Sequence, residues 1–155
     1  MSDNVQKYRN RALHLLKYRP RSVAEIKQRL QKAGALEEEI KEVIDTLLEH
    51  DLLNDKEFAQ WLVTSRVSHK SRGIQAVKAE LYKFGIDKEL IKEIISKVDS
   101  EELVESAKLL LEKKRSKLAG LEAFKQKQKA FQYLSSRGYS YDVIRTAIDA
   151  WQEDK

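Results

Sequence analysis

The side chains best suited to chemistry in this sequence are cations, not nucleophiles. The run Arg66-Val-Ser-His-Lys70-Ser-Arg72-Gly73 sets three positive groups around a turn that closes on glycine. Guanidinium and ammonium groups so spaced suit phosphate or carboxylate oxygens. Backbone amides at the start of a helix after Gly73 would add anion affinity. An ordinary solvated turn is the competing reading. Catalytic arrangements are harder to build. His14, His50 and His69 have no metal-ligand spacing, and there is no cysteine. His14 lies in an apolar helical stretch and reads as packed; His50 reads as a helix C-terminal residue. No phosphate-cradling, dinucleotide-binding or nucleophile-elbow glycine motif is present. The acids cluster on amphipathic stretches, and Glu37, Glu38 and Glu39 open a helix where they suit its dipole. The expectation is a protein that binds, with no catalytic residue, cofactor or metal.

Helices must position these cations. Among 155 residues there are only 5 glycines and 1 proline, too few turn formers for an all-β fold. Three of the glycines, Gly34, Gly85 and Gly138, are spaced by 51 and 53 residues. Aligning on them brings Leu30, Leu81 and Leu134 into register four residues before. Ile40, Ile91 and Ile144 fall six after, and Ile44, Ile95 and Ile148 ten after. Each unit is therefore a helix, a left-handed glycine turn and a second helix, with a further amphipathic helix in front. Ser22 with Glu25, and Asn54 with Glu57, have capping-box spacing, and Ser140 is placed to cap the last helix. The spacing predicts nine helices, over 4–18, 22–33, 36–50, 55–69, 73–84, 87–98, 101–116, 121–137 and 140–152. They form three three-helix modules, 1–53, 54–98 and 99–155, in an elongated all-α tandem array. Most aromatic residues fall at core spacing; Tyr8 and Tyr18 lie among cations, where core or rim packing is favoured over base stacking.

The net charge of +5 is an average over blocks. Residues 1–34 carry +7, 35–62 carry −7, 63–86 carry +4, 87–105 carry −4, 106–138 carry +7 and 139–155 carry −2. The first two helices of each module tend to be basic and the third acidic. Blocks that pair with one another are the bland alternative. Because the sign follows the repeat, basic stripes that meet a phosphate backbone or an acidic protein groove are the favoured reading. No run of 18 apolar residues and no secretory leader is visible, so a soluble, cytoplasmic, monomeric protein without membrane contact is expected.

The stretch Leu53-Asn-Asp-Lys-Glu-Phe58-Ala59-Gln-Trp61, continuing through Ser65-Arg66, Lys70, Gly73, Val77-Lys-Ala-Glu80-Leu81 and Gly85-Ile86, resembles the central signature of the RecX family, bacterial regulators of the RecA recombinase. Arg21-Ser22 with Glu25-Ile26, Leu30 and Gly34 resembles the family's first module. Phe131, Leu134, Arg137-Gly138-Tyr139 and Ile144 resemble its third. Phe84 stands where the family often has a cation, and Gln75 and Ala76 are neutral where a further cation is common. The resemblance implies a non-enzymatic protein of DNA repair, recombination and the SOS response. It would bind in the helical groove of the RecA filament on single-stranded DNA, limiting extension, ATP hydrolysis, strand exchange and co-protease activity. Arg66, Lys70 and Arg72 are the residues it carries over. Further candidates for contact with RecA or with single- or double-stranded DNA are Lys78, Lys83, Arg9, Arg11, Arg19, Arg21, Lys125, Lys129 and Arg137. Two alternatives remain: a direct DNA-binding repeat protein with no obligatory RecA partner, and a passive helical scaffold for an acidic protein.

Overall fold

The computed structural model describes residues 2–153, and every regular element among them is helical. The first module comprises α1 (Asp3–Tyr18), α2 (Val23–Lys32) and α3 (Glu37–Glu49). In the second, α4 (Asp55–Thr64) runs on into a π-helical turn, Ser65–His69, before α5 (Ile74–Lys83) and α6 (Lys88–Ser96). The third has α7 (Ser100–Lys113), a four-residue α8 (Arg115–Leu118), α9 (Ala123–Ser136) and α10 (Tyr141–Glu153). Helix α7 thus stops short of the expected 116. The chain turns at Lys114, and the side-chain amide of buried Gln126 donates to the Leu118 carbonyl at 3.1 Å, pinning the short helix to α9.

The glycine turn is the same in all three copies. Gly34, Gly85 and Gly138 have φ of 96°, 76° and 92°. In each copy the glycine N–H donates to the carbonyl three residues back, and the next N–H reaches five residues back. The second bonds are Ala35 to Leu30, Ile86 to Leu81 and Tyr139 to Leu134. This paired pattern closes a helix and redirects the chain within two residues. Helix starts are also satisfied. Ser22 Oγ accepts from Glu25 N at 3.0 Å, and Asn54 Oδ1 accepts from Lys56 and Glu57 N. Ser140 Oγ accepts from Val143 N at 3.4 Å. Leu36 N–H, with no side-chain cap of its own, donates to Glu39 Oε1 at 2.9 Å, so one of the three acids of α3 works as a cap as well as a dipole partner.

The packing resolves into two compact units, Met1–Trp61 with Leu81–Ile91 and Leu62–Glu80 with Lys92–Lys155. In the first, Val5, Tyr8 and Ala12 of α1 meet Ile26 and Leu30 of α2 and Ile40, Val43, Ile44 and Leu47 of α3. Tyr8 is buried here, which withdraws it from base stacking. Asp55, at the start of α4, accepts the Val23 N–H at 2.8 Å and so caps α2 from outside its own module. Burial nonetheless raises its carboxyl above the ordinary value.

In the second unit, α7 and α10 enclose Ala107, Leu110, Leu111, Ile144, Ala147, Ile148 and Trp151, and α9 adds Ala130 and Leu134. Each large apolar side chain buried there contributes roughly 1.5–3 kcal/mol. The buried Tyr139 hydroxyl is hydrogen-bonded to Ser106 of α7. Glu112 receives both Arg115 guanidinium hydrogen bonds at 2.7 Å and the Trp151 Nε1–H at 3.1 Å. The Arg115 bonds hold its carboxyl below the usual range.

A Cβ on Gly73 would lie 2.3 Å from Gly138 C and Tyr139 N, both rigid backbone, whereas Gly120 has open space. Gly73→Ala should lose about 2–3 kcal/mol in urea unfolding and Gly120→Ala under about 0.5 kcal/mol. Glu112 has a folded pKa below its unfolded one, so its contribution is present above about 4.5 and fades as pH falls through the lowered value. The gap in urea midpoint between the wild type and Glu112→Gln should therefore be open at neutral pH and close in acid, read by far-ultraviolet circular dichroism.

Candidate functional site

The basic turn is built where α4 loses α-helical register. The five-residue π-helical turn ends at His69, Lys70 serves as its cap, and Ser71 takes a left-handed φ of 49° although it is not glycine. The turn is closed by Arg72 N–H donating to Arg66 O at 2.9 Å. Val67 and Ser71 are buried, and α7 packs against the π-helical turn. Ser68 Oγ donates to Glu102 Oε1 of α7 at 2.6 Å. A left-handed non-glycine residue costs about 1–2 kcal/mol, so the surrounding bonds must hold it.

Those bonds come from the third module. Gly73 N–H donates to Arg137 O, and Gln75 N–H to Gly138 O, each at 3.0 Å. This corrects one expectation. The amides at the start of α5 were to bind an anion, but two of them are already spent on carbonyls of the glycine turn 137–138. What the turn offers a ligand is its side chains. Lys70 and Arg72 are exposed, with no ion-pair partner among the described residues. Arg66 lies behind them, its Nε 2.7 Å from Glu80 Oε2, with about a quarter of its side chain exposed.

The other candidates divide by unit. In the first, Arg19 and Arg21 converge on Glu25. Arg21 Nη1 is 2.9 Å from Glu25 Oε2, its Nε donates to Leu15 O, and it is 10% exposed. Arg19 makes two bonds to the same carboxylate and stacks over Trp61 and Phe84. Both therefore act as internal clamps, and Glu25 answers them instead of completing the capping box with Ser22. Phe84, neutral where a cation was expected, supplies a face to Arg19 and an edge contact to Phe58. Arg9 is half-buried, with Nε unpaired, whereas Arg11 and Lys83 are exposed. In the second unit, Lys78 is half-exposed, Lys125 and Lys129 are exposed on α9, and Arg137 lies over the Tyr133 ring. His50 Nδ1 sits 2.9 Å from Thr46 O at the end of α3, whereas His14 is exposed against the Tyr18 ring.

Sequence reasoning missed Glu80, Glu102 and the carbonyls of Arg137 and Gly138. Glu80 is fourteen residues from Arg66 and the others are farther, so no local spacing rule links them. No helix of the described chain is long and apolar enough to cross a membrane.

Comparison with known proteins agrees over nearly the whole chain. Residues 9–47 match the family model for the RecX first three-helix domain, 54–95 the second and 100–148 the third. Regulatory protein RecX of Bacillus subtilis strain 168 is 37% identical over 147 residues, spanning 95% of this chain and 56% of that protein. The chain thus covers little more than half the length of that relative. Regulatory protein RecX of Clostridium perfringens strain SM101 is 32% identical, over 94% of this chain and 69% of its own length. A crystal structure of RecX from Lactobacillus salivarius superposes with a TM-score of 0.88 at 29% identity, covering 98% of this chain and 99% of that one.

The Arg66–Glu80 pair is partly exposed, so it should be a modest contributor. A double-mutant cycle with Arg66→Ala and Glu80→Ala should give a coupling of about 0.5–1 kcal/mol in chemical denaturation. A coupling near zero would mean that the turn is held without it.

Proposed function

This chain belongs to the RecX family, and from that premise we propose that it is a non-catalytic regulatory protein that binds in the helical groove of the RecA filament on single-stranded DNA. It limits filament extension and, with it, ATP hydrolysis, strand exchange and co-protease activity. The modules are placed at 1–53, 54–98 and 99–155, and the protein acts in the cytoplasm, where such filaments form. The observation that carries the reading is the turn at 65–73. It presents Lys70 and Arg72 outward from a backbone held by the closing bond to Arg66 and by two bonds to the third module. A backbone already ordered loses little conformational entropy on binding, so only the side chains of Lys70 and Arg72 have to be immobilised. Such a turn suits anionic groups along a filament, whether phosphates or carboxylates.

The contact set we propose is Lys70 and Arg72, with Arg66 behind them. Arg9, Arg11, Lys78, Lys83, Lys125, Lys129 and Arg137 are secondary. Arg19 and Arg21 drop out because Glu25 holds their guanidinium groups. Bridging neighbouring protomers alters filament growth without any bond being made or broken, which fits a chain offering no nucleophile–base pair.

The test is the single-stranded-DNA-dependent ATPase of the host RecA. Wild-type protein should depress it at substoichiometric amounts. The Lys70→Glu/Arg72→Glu variant should need about tenfold more protein, which is the effect of losing about 1.4 kcal/mol of binding, with unchanged helicity and unfolding midpoint. Equal potency would remove the turn from the contact surface. No wild-type effect at equimolar protein would remove the RecA reading and favour direct DNA binding, which should then weaken steeply with salt.

A further inference from the structure

The most exposed large apolar side chain among the described residues is Phe124, 74% accessible, in the first turn of α9. It does not stand alone. Phe131, partly exposed with one side packed on the core, lies seven residues on, which on a helix is the same face, about 10 Å along the axis. Between them Lys127 and Gln128 occupy that face, and Gln132 completes a shallow groove. Tyr141, 62% exposed at the start of α10, extends the surface with its ring 5.6 Å from Phe131. Helix α9 carries Lys125, Lys127 and Lys129 and contains no acid. All three lysines are exposed, and none has an ion pair among the described residues.

We propose that this face of α9 is a stacking site for two or three bases of single-stranded DNA, with Phe124 and Phe131 as platforms and the lysines on the flanking phosphates. The proposal deepens the reading above, adding a DNA contact remote in sequence from the basic turn. Three features select this occupant. Three lysines beside a single acid, the N-cap Glu122, favour a polyanion. The exposed Phe124 ring, with the accessible part of Phe131 beside it, can stack only on bases that are unpaired, so a duplex does not use it. The apolar stripe is interrupted by Lys127 and Gln128, which is poor for an amphipathic peptide helix needing a continuous groove. The same interruption gives base edges amide hydrogen-bond partners in Gln128 and Gln132.

The experiment uses the full chain without RecA, so that it stands or falls apart from the ATPase result. Binding of a fluorescent oligothymidylate is measured by anisotropy beside an abasic oligomer of equal length. Phe124→Leu, which keeps apolar bulk but removes the ring, should weaken oligothymidylate binding about tenfold and leave the abasic oligomer unchanged. Phe124→Trp should restore binding. Lys127→Gln should weaken both and lower the salt slope by about 0.7. Phe124 is exposed, so these variants should fold as the wild type does. The proposal is overturned if Phe124→Leu weakens both oligomers equally or neither. It is also overturned if an acidic, phenylalanine-containing peptide binds in a Phe124-dependent way while oligothymidylate does not.

Discussion

Two stretches of bare backbone meet at Gly73 and Gly138, and there is no room between them for a methyl group. A side chain on Gly73 would strike the Gly138 carbonyl carbon, and one on Gly138 would strike the Ala76 amide at 2.5 Å. The contact joins the third copy of the glycine turn to the start of α5 through two hydrogen bonds. Gly138 therefore has two tasks. Its left-handed φ ends α9, as Gly34 and Gly85 end their helices, and its carbonyl, aimed away from its own helix, accepts from Gln75. Gly73 has no positive φ; it is needed only because the backbones approach so closely.

The shape of the basic turn follows from that approach. With Gly73 fixed, the chain must leave α4 and reach α5 within a few residues. The π-helical turn widens the last turn of the helix, and left-handed Ser71 reverses it. Val67 goes into the core, Ser68 reaches Glu102, and Lys70 and Arg72 are left outside. The exposed cations are thus a consequence of how the two glycines pack. The local strain at Ser71 is tolerated because the two residues after it are both anchored, Arg72 N–H on Arg66 O and Gly73 N–H on Arg137 O.

Local relations were legible in the sequence. The helices, the three glycine turns and the caps at Ser22, Asn54 and Ser140 depend on neighbours within about five residues, and periodicity reports such neighbours well. Nonlocal relations were not. Gln126 pinning Leu118, Asp55 capping α2 and the π-helical turn seated against α7 each depend on partners brought by tertiary packing. The anion site expected at the start of α5 failed for the same reason. Its amides look free when α5 is considered alone, and the acceptors that take them are more than sixty residues away. Arg19 and Arg21 misled in a related way. Both lie near Glu25 in sequence, but counting cations by block hides whether a charge is already answered.

Sorting the charges by partner gives them different roles. Arginine supplies the least exposed pairs, Arg19 and Arg21 on Glu25, and two that lie nearer solvent, Arg66 on Glu80 and Arg115 on Glu112. Its planar fork can address one carboxylate through two nitrogens while stacking on a ring, as Arg19 and Arg115 do. Lysine pairs such as Lys41–Asp45 and Lys97–Glu93 lie on exposed helix faces and contribute little. The cations of α9 are exposed lysines with no ion pair among the described residues, and an ammonium group is strongly hydrated. Salt acts on the two sets differently. Pairs in direct, partly buried contact are only weakly screened, while unpaired surface charges lose most of their reach beyond about 8 Å at physiological ionic strength. Salt should therefore leave the Arg19 and Arg21 pairs on Glu25 less affected than the exposed lysines of α9.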